Sequence, residues 1–274
     1  MNFWIVAKRE IKLGFRNPWS YSFLALFTLF SLALLLIQSQ NAYNMQGYTH
    51  AAGTMMNLTL YLLPLMTLLL GSFSVTSEKE DGSWQLLSTY SLSSSALLIG
   101  KFMGLTAVLL AITCFAYGLS GIVGSLVGHS FALESLLSLL LFSIGIVLLY
   151  LGIAVWIGSL SRNRWQALTY AVGIWFATIL AWPTLLLSVL GFLPYWMIQP
   201  SLEVLTLLNP AEFVRVFAVM KLGGGSVFGP EYYRWVNWAE RPMGTLVFLA
   251  GYLVWIGESL GLAIYFWERG RYRG

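Results

Sequence analysis

Few side chains in this sequence can do chemistry, and where they fall narrows what that chemistry is. Of eleven acidic residues, three open one polar segment, SEKEDGSWQLLSTYSLSSSALLIGK, which runs from Ser77 to Lys101. Glu78, Glu80 and Asp81 lead it and Gly82 allows a turn. Trp84, Leu87 and Ser91 then recur at helical spacing, with Leu86 and Tyr90 beside them. A short helix with an acidic lead and an exposed apolar face is poorly suited to water and needs a groove on another protein. The alternative is a solvated loop packed on its own bundle. A further acid, Glu258, stands inside an apolar run. A carboxylate at that depth costs about 3 kcal/mol on insertion scales and is expected to face protein or a wet seam. It is either a functional group or a hydrogen-bonded tie between helices. Gly257 and Gly261 flank it as a G-x-x-x-G face for close helix approach, and Gly121, Gly124 and Gly128 offer a second small-residue face.

Other chemistries lack their parts. His50 and His129 are too few and too far apart for a metal site. The one cysteine, Cys114, lies in an apolar run and is expected to be a packed thiol. There is no HExxH phrase, no Ser-His pair at membrane depth and no G-x-x-x-x-G-K-[ST] phosphate loop. Gly100-Lys101 lacks both the upstream glycine and the following hydroxyl. No catalytic constellation is present, so any ATP hydrolysis belongs to another polypeptide.

The elements that position these residues follow from composition. Charged residues make up 9% of the 274 and hydrophobic ones 58%. A soluble fold could not keep that much apolar surface from water. The formal charge of +4 is too small to imply nucleic acid. Spans need about 20 mostly apolar residues, and six stretches qualify: 19–38, 54–76, 102–127, 133–160, 165–190 and 244–267. Pro64 and Pro183 are expected kink sites. Eleven of the fifteen basic residues (Lys8, Lys12, Lys79, Lys101, Arg9, Arg16, Arg162, Arg164, Arg269, Arg271, Arg273) fall on one side if six spans alternate. Both termini are therefore expected to be cytoplasmic. A cleaved leader over 1–41 is disfavoured, because 18 residues precede the apolar run.

Residues 1–18 carry an amphipathic helix, with Lys8, Arg9, Lys12 and Arg16 on one arc and Phe3, Ala7, Ile11, Gly14 and Phe15 opposite. It is expected to lie in the membrane interface, basic face towards headgroups or a partner. The 191–243 loop holds an outer-interface or re-entrant helix pair. Asn209 caps the second helix, Pro210 takes its first position, Glu212 completes a capping-box-like arrangement and Gly223–Gly225 stops it. Trp196, Tyr232, Tyr233, Trp235 and Trp238 fit an aromatic belt. Asn209, Glu212, Phe213 and Arg215 are the expected contacts for an outer partner or substrate.

Glu78, Gly82, Leu86, Leu87, Leu92, Leu97, Gly100 and Lys101 together resemble the first cytoplasmic loop of ABC-2-type transporter permeases. The order of interface helix, two spans, this loop, three spans, long outer loop and last span fits the same family over nearly the whole chain. One departure is that the family often has Pro and Arg around the turn where this chain has Ser91 and Ser93–Ser95. The resemblance implies an all-α membrane protein: one transmembrane domain over 1–274 in the bacterial cytoplasmic membrane, with a coupling helix in the 77–101 loop. It implies a second permease copy and two copies of a cytoplasmic ATPase that binds ATP and magnesium, with no cofactor on this chain. ATPase coupling falls to Glu78, Glu80, Asp81, Gly82, Trp84, Leu86 and Leu87. The phrase Leu-Leu-Asn-Pro-Ala-Glu-Phe-x-Arg also resembles permeases of the NosY type, from nitrous-oxide reductase maturation, where an extracytoplasmic partner caps the dimer and the complex serves a copper–sulfur centre. Exporters of a lipid, peptide or drug, and a nucleotide-independent scaffold, stay open beside it. A secondary transporter is disfavoured, since spans carry no paired charges and no inverted repeat is evident.

Overall fold

The structure, a computed structural model, describes residues 3–39, 50–82, 93–126, 133–225 and 233–271. Among them every regular element is helical. In chain order these are α1 (Phe3–Gly14), α2 (Pro18–Ser39), α3 (His50–Glu80), α4 (Ser94–Leu126), α5 (Leu133–Leu160), α6 (Arg164–Trp175), a π-helical turn (Phe176–Ala181), α7 (Trp182–Gly191), α8 (Tyr195–Leu208), α9 (Pro210–Lys221), α10 (Tyr233–Glu240) and α11 (Pro242–Arg271). Five stretches are long and apolar enough to cross a membrane: Ala52–Glu80, Ser94–Leu126, Leu136–Leu160, Arg164–Gly191 and Pro242–Gly270. The first expected span coincides with α2, whose apolar stretch Pro18–Leu34 is shorter.

The core lies between α3, α4 and α5. Glycines set its closest approaches: a Cβ on Gly71 would stand 2.5 Å from that of Ala154, and one on Gly158 2.6 Å from that of Val75. Hydroxyls tie these helices, and α2 to α4, where apolar packing alone would let them slide. Tyr117 shares hydrogen bonds with Thr59 at 2.6 Å and Ser143 at 3.0 Å, and Ser31 meets Ser120 at 2.8 Å. The last two long helices flank this core. Their apolar windows are only 6% and 11% buried, against 56–67% for the inner three, so each turns most of its surface outward.

Pro183 shapes the fourth long stretch, Arg164–Gly191. Its ring crowds the carbonyl of Ile179 and it returns no N–H. The helix responds by widening into the π turn just before it. Pro64 lies inside α3 without ending it. Cys114 corrects an expectation, being exposed on the outside of α4 rather than packed.

The N-terminal helix also differs from its expected pose. Lys8, Arg9 and Lys12 are exposed, as their pattern requires, but α1 does not simply float on its apolar side. It docks on the start of α4 through Val6, Ala7, Glu10 and Gly14, leaving Phe3 and Phe15 outward. The docking depends on missing side chains. A Cβ on Gly100 would meet Val6 Cβ at 2.6 Å, and one on Gly104 would meet Glu10 Cβ at 2.6 Å and the Ala7 carbonyl at 2.7 Å. Gly104→Val should therefore lift α1 from α4 and cost about 1–3 kcal/mol. A lower apparent melting temperature and faster tryptic cleavage after Lys12 are the expected results; an unchanged cleavage rate would show that α1 is not held here.

Candidate functional site

At the end of the bundle that carries most of the basic residues, four charges meet between three elements. Lys101, at the second turn of α4, is 2% exposed, and its ammonium stands 2.8 Å from Glu10 Oε1 and 3.0 Å from Glu78 Oε1. It also donates to the carbonyl oxygen and the hydroxyl of Ser74, each at 3.0 Å. The Ser74 hydroxyl in turn donates to Glu10 Oε2 at 2.8 Å. Arg9 covers Glu78 from the solvent side at 3.2 Å. The quartet is formally neutral, and the lysine's three donors all have acceptors. Burial at this depth is tolerable only because of that pairing: removing one member strands a charge, typically at about 3–5 kcal/mol.

This cluster closes the base of the loop between α3 and α4. Glu78 sits on the last turns of α3 and Lys101 near the start of α4, so their ion pair joins the two roots. The neighbouring residues extend the tie. Glu80 accepts from the Arg164 backbone N–H at 2.6 Å and pairs with its guanidinium at 2.8 Å, fastening the tip of α3 to the start of α6. Lys79 donates to the carbonyls that end α5, Gly158 at 3.1 Å, Ser161 at 2.9 Å and Ser159, and its ammonium lies 5.1 Å from the Trp267 ring centre on α11. One turn of α3 thus contacts α1, α4, α5, α6 and α11.

The coupling residues divide accordingly. Asp81 and Gly82 are exposed, and Gly82 takes the left-handed backbone (φ 65°) that its turn requires. Trp84, Leu86 and Leu87 lie outside the described residues. Glu78 corrects the idea of a free acidic lead: at 4% exposure it faces inward, and its charge is spent on Lys101 and Arg9. Glu10 was not singled out from the sequence. The available signal was a lysine at the head of an apolar helix, which needs a buried acid, and the single acid of α1 among its bases.

The opposite half of the bundle holds a helical hairpin, α8–α9, that turns at Asn209-Pro210. Asn209 caps α9 by accepting from Ala211 N at 2.9 Å, and its amide donates 2.7 Å to the Thr178 carbonyl. Thr178 belongs to the π turn, where Pro183, five residues on, has no N–H to return to that carbonyl. Tyr150 donates to the Thr178 hydroxyl at 2.8 Å, and Trp255 to the Leu207 carbonyl at 3.2 Å. The hairpin tip therefore sits at mid-length of the bundle. The far end of α9 closes as foreseen, Gly223 (φ 77°) donating to Met220 and Gly224 to Val219 in a Schellman arrangement.

Several expectations change here. Glu212 pairs with Arg215 at 2.7 Å. Asn209, Glu212 and Phe213 are buried within this chain, at 1%, 8% and 5% exposure, where they help hold α9 in place; Arg215 remains partly exposed. Glu258 does not face this chain's interior. It lies on the exposed side of α11, and a Cβ on Gly257 or Gly261 would meet nothing within 4 Å. Gly121 approaches Leu136, where a Cβ would stand 3.3 Å from its Cδ1, and Gly124 is buried; Gly128 lies outside the described residues. Among the described residues no group of histidine, cysteine and acids could hold a metal.

Two outcomes follow. Lys101→Met should lower stability by about 3–5 kcal/mol, and replacing Glu10 and Glu78 by Gln in the same chain should recover part of that loss. Thermal melting of the detergent-solubilised protein checks this, and equal melting of Lys101→Met and wild type would refute it. Asn209→Ala removes both the cap and the donor to Thr178, for about 1–3 kcal/mol, while Asn209→Ser keeps the cap and should fall between Ala and wild type in the same assay.

Comparison with known proteins agrees with this architecture. The chain is 27% identical over 280 residues to a protein of Pseudomonas aeruginosa named "Probable ABC transporter permease protein NosY", covering 95% of each chain. It is 28% identical over 274 residues to one of the same name from Stutzerimonas stutzeri, covering 97% of this chain and 98% of that one. The sequence model described as ABC-2 family transporter protein matches residues 4–268. A helical bundle with five membrane-length helices, a loop rooted in a buried ion cluster and a match running almost from end to end make this chain a member of the ABC-2 transporter family.

Proposed function

We propose that the chain is the six-span permease subunit of an ABC exporter, one transmembrane domain that works as a homodimer with two copies of a cytoplasmic ATPase. The observation that carries this reading is the closed base of the α3–α4 loop. A loop meant to transmit force must have roots that cannot yield separately, and here Glu78–Lys101 provides that, while Glu80–Arg164 fastens the α3 root to α6. The basic end is the cytoplasmic one, because the sequence assigns eleven of its fifteen Lys and Arg residues to one side of six alternating spans. Trp84, Leu86 and Leu87 insert into the ATPase, Asp81 steers the approach, and ATP with magnesium is bound by that partner. When the ATPases close, the loop moves with them. The shared turn of α3 then carries the motion into α1, α4 and α6, rocking the two halves of the dimer against each other.

Similarity to the NosY permeases, together with the LLNPAEFVR phrase, favours a setting in which the exporter serves assembly of the copper–sulfur centre of nitrous-oxide reductase. An extracytoplasmic partner would then read the exposed rim around Arg215 and Lys221 rather than the buried Asn209 face.

Trp84→Ala with Leu86→Asp should weaken ATPase binding by about 30-fold or more, as loss of two interface anchors does. Asp81→Lys should chiefly slow association and change its salt dependence. Co-purification of the ATPase and its stimulated ATP turnover measure both effects. If the double variant keeps the partner and coupled turnover, the loop is not the docking element. If wild type captures no ATPase at all, a scaffold without a motor is the better reading.

A further inference from the structure

A groove of about 960 Å³ lies between the α8–α9 hairpin, α10 and α11, away from the ion cluster. It runs along α11 from Gly244 to Val254, ten residues or about 15 Å of helix. That is the length of a half-bilayer acyl chain. Its walls are apolar, and Val247, Val254 and Leu207 are exposed on the outside of the bundle. The groove therefore opens sideways to whatever surrounds α11, which for a membrane-spanning helix is lipid.

Its polar chemistry is one-sided. Among the described residues, Glu203 is the one acid lining it, no basic residue lines it, and Glu203 accepts from Gln199 at 3.2 Å. Among the described residues no salt bridge includes Glu203. Leu207 is held level with Trp255 by its hydrogen bond, so Glu203 stands one helical turn further from the hairpin tip. Trp196, Trp235 and Trp238 stand in the same lining. A carboxylate and indoles in one lining offer two attractions for an ammonium group, charge from the carboxylate and the negative ring faces of the indoles. The tail of such a molecule would run on along the apolar lining, past Phe248 towards Val254.

We propose that this groove binds a membrane lipid with an ammonium headgroup, its head between Glu203 and the tryptophans and one acyl chain along α11. The site is independent of the ATPase contact and stands whether or not the chain exports anything. It also gives Glu203 a reason to lie in an apolar hairpin, since the lipid headgroup would bring a cation to it.

Native mass spectrometry of the purified full-length permease, exchanged against equal amounts of phosphatidylethanolamine and phosphatidylglycerol of matched chains, tests this directly. Wild type should retain phosphatidylethanolamine about fivefold over phosphatidylglycerol. Glu203→Gln should bring the ratio near one, and Glu203→Lys should invert it. Ala250→Trp, which fills the groove from an exposed lining position, should lower retention of both lipids. Dodecyltrimethylammonium should compete with the retained lipid, whereas dodecyl sulfate should not. Melting curves confirm that each variant is folded. A wild-type ratio near one, or a ratio that Glu203→Lys leaves unchanged, would overturn the proposal. Retention that ignores headgroup but falls in Ala250→Trp would also overturn it, leaving only a groove for acyl chains.

Discussion

A lysine ammonium buried at 2% exposure is the constraint around which one end of this bundle is arranged. It cannot be left alone in an apolar interior, so acids must reach it from elsewhere. One comes from α1, 91 residues away in sequence, and the other from the last turns of α3. Satisfying Lys101 thereby fixes where α1 lies and how the α3–α4 loop is closed. Gly100 and Gly104 make the same point sterically. Without their empty Cβ positions α1 could not come near enough for Glu10 to reach the ammonium. Charge and glycine spacing thus act on the same three helices.

The opposite half is organised around an unsatisfied carbonyl instead. Pro183 disrupts the long Arg164–Gly191 helix, the helix widens, and Thr178 is left with an acceptor that Pro183 cannot fill. Asn209 fills it while capping α9, so one side chain holds a hairpin turn at mid-length of the bundle. Both halves follow one rule: in an apolar surrounding each polar group must find its partner within the protein, and those partnerships fix the helix arrangement.

How much of this could be read from the residues depended on the range of the interaction. Long apolar runs set the long helices, because their length is a local property. Asn209-Pro210 and Gly223–Gly225 marked the ends of α9 because capping acts within a few residues. The Lys101 cluster was hidden by distance, and Glu10 was masked by the bases around it on α1. Cys114, expected to be packed, lies outward, and Glu258 stands on the side of α11 turned away from this chain's core. Helices apolar all round carry no periodic signal for which side packs, so the outward face of α11 or α4 could not be read from either sequence. Glu78 looked like part of an exposed acidic lead because its neighbours are, yet helical rotation turns it inward between Lys79 and Ser77.

The central claim is that α1, the end of α3 and the start of α4 move as one body when an ATPase acts on the loop between them. Pulsed electron paramagnetic resonance tests it, with spin labels at the exposed positions Lys12 and Asp81 of the assembled complex, measured with and without ATP. The account predicts one narrow distance distribution for this pair that ATP does not shift, while the distance between the Asp81 labels of the two permease copies changes. In Lys101→Met the Lys12–Asp81 distribution should broaden in both states. A Lys12–Asp81 distance that shifts with ATP in the otherwise wild-type protein would contradict the account, because the cluster would then not hold these elements together.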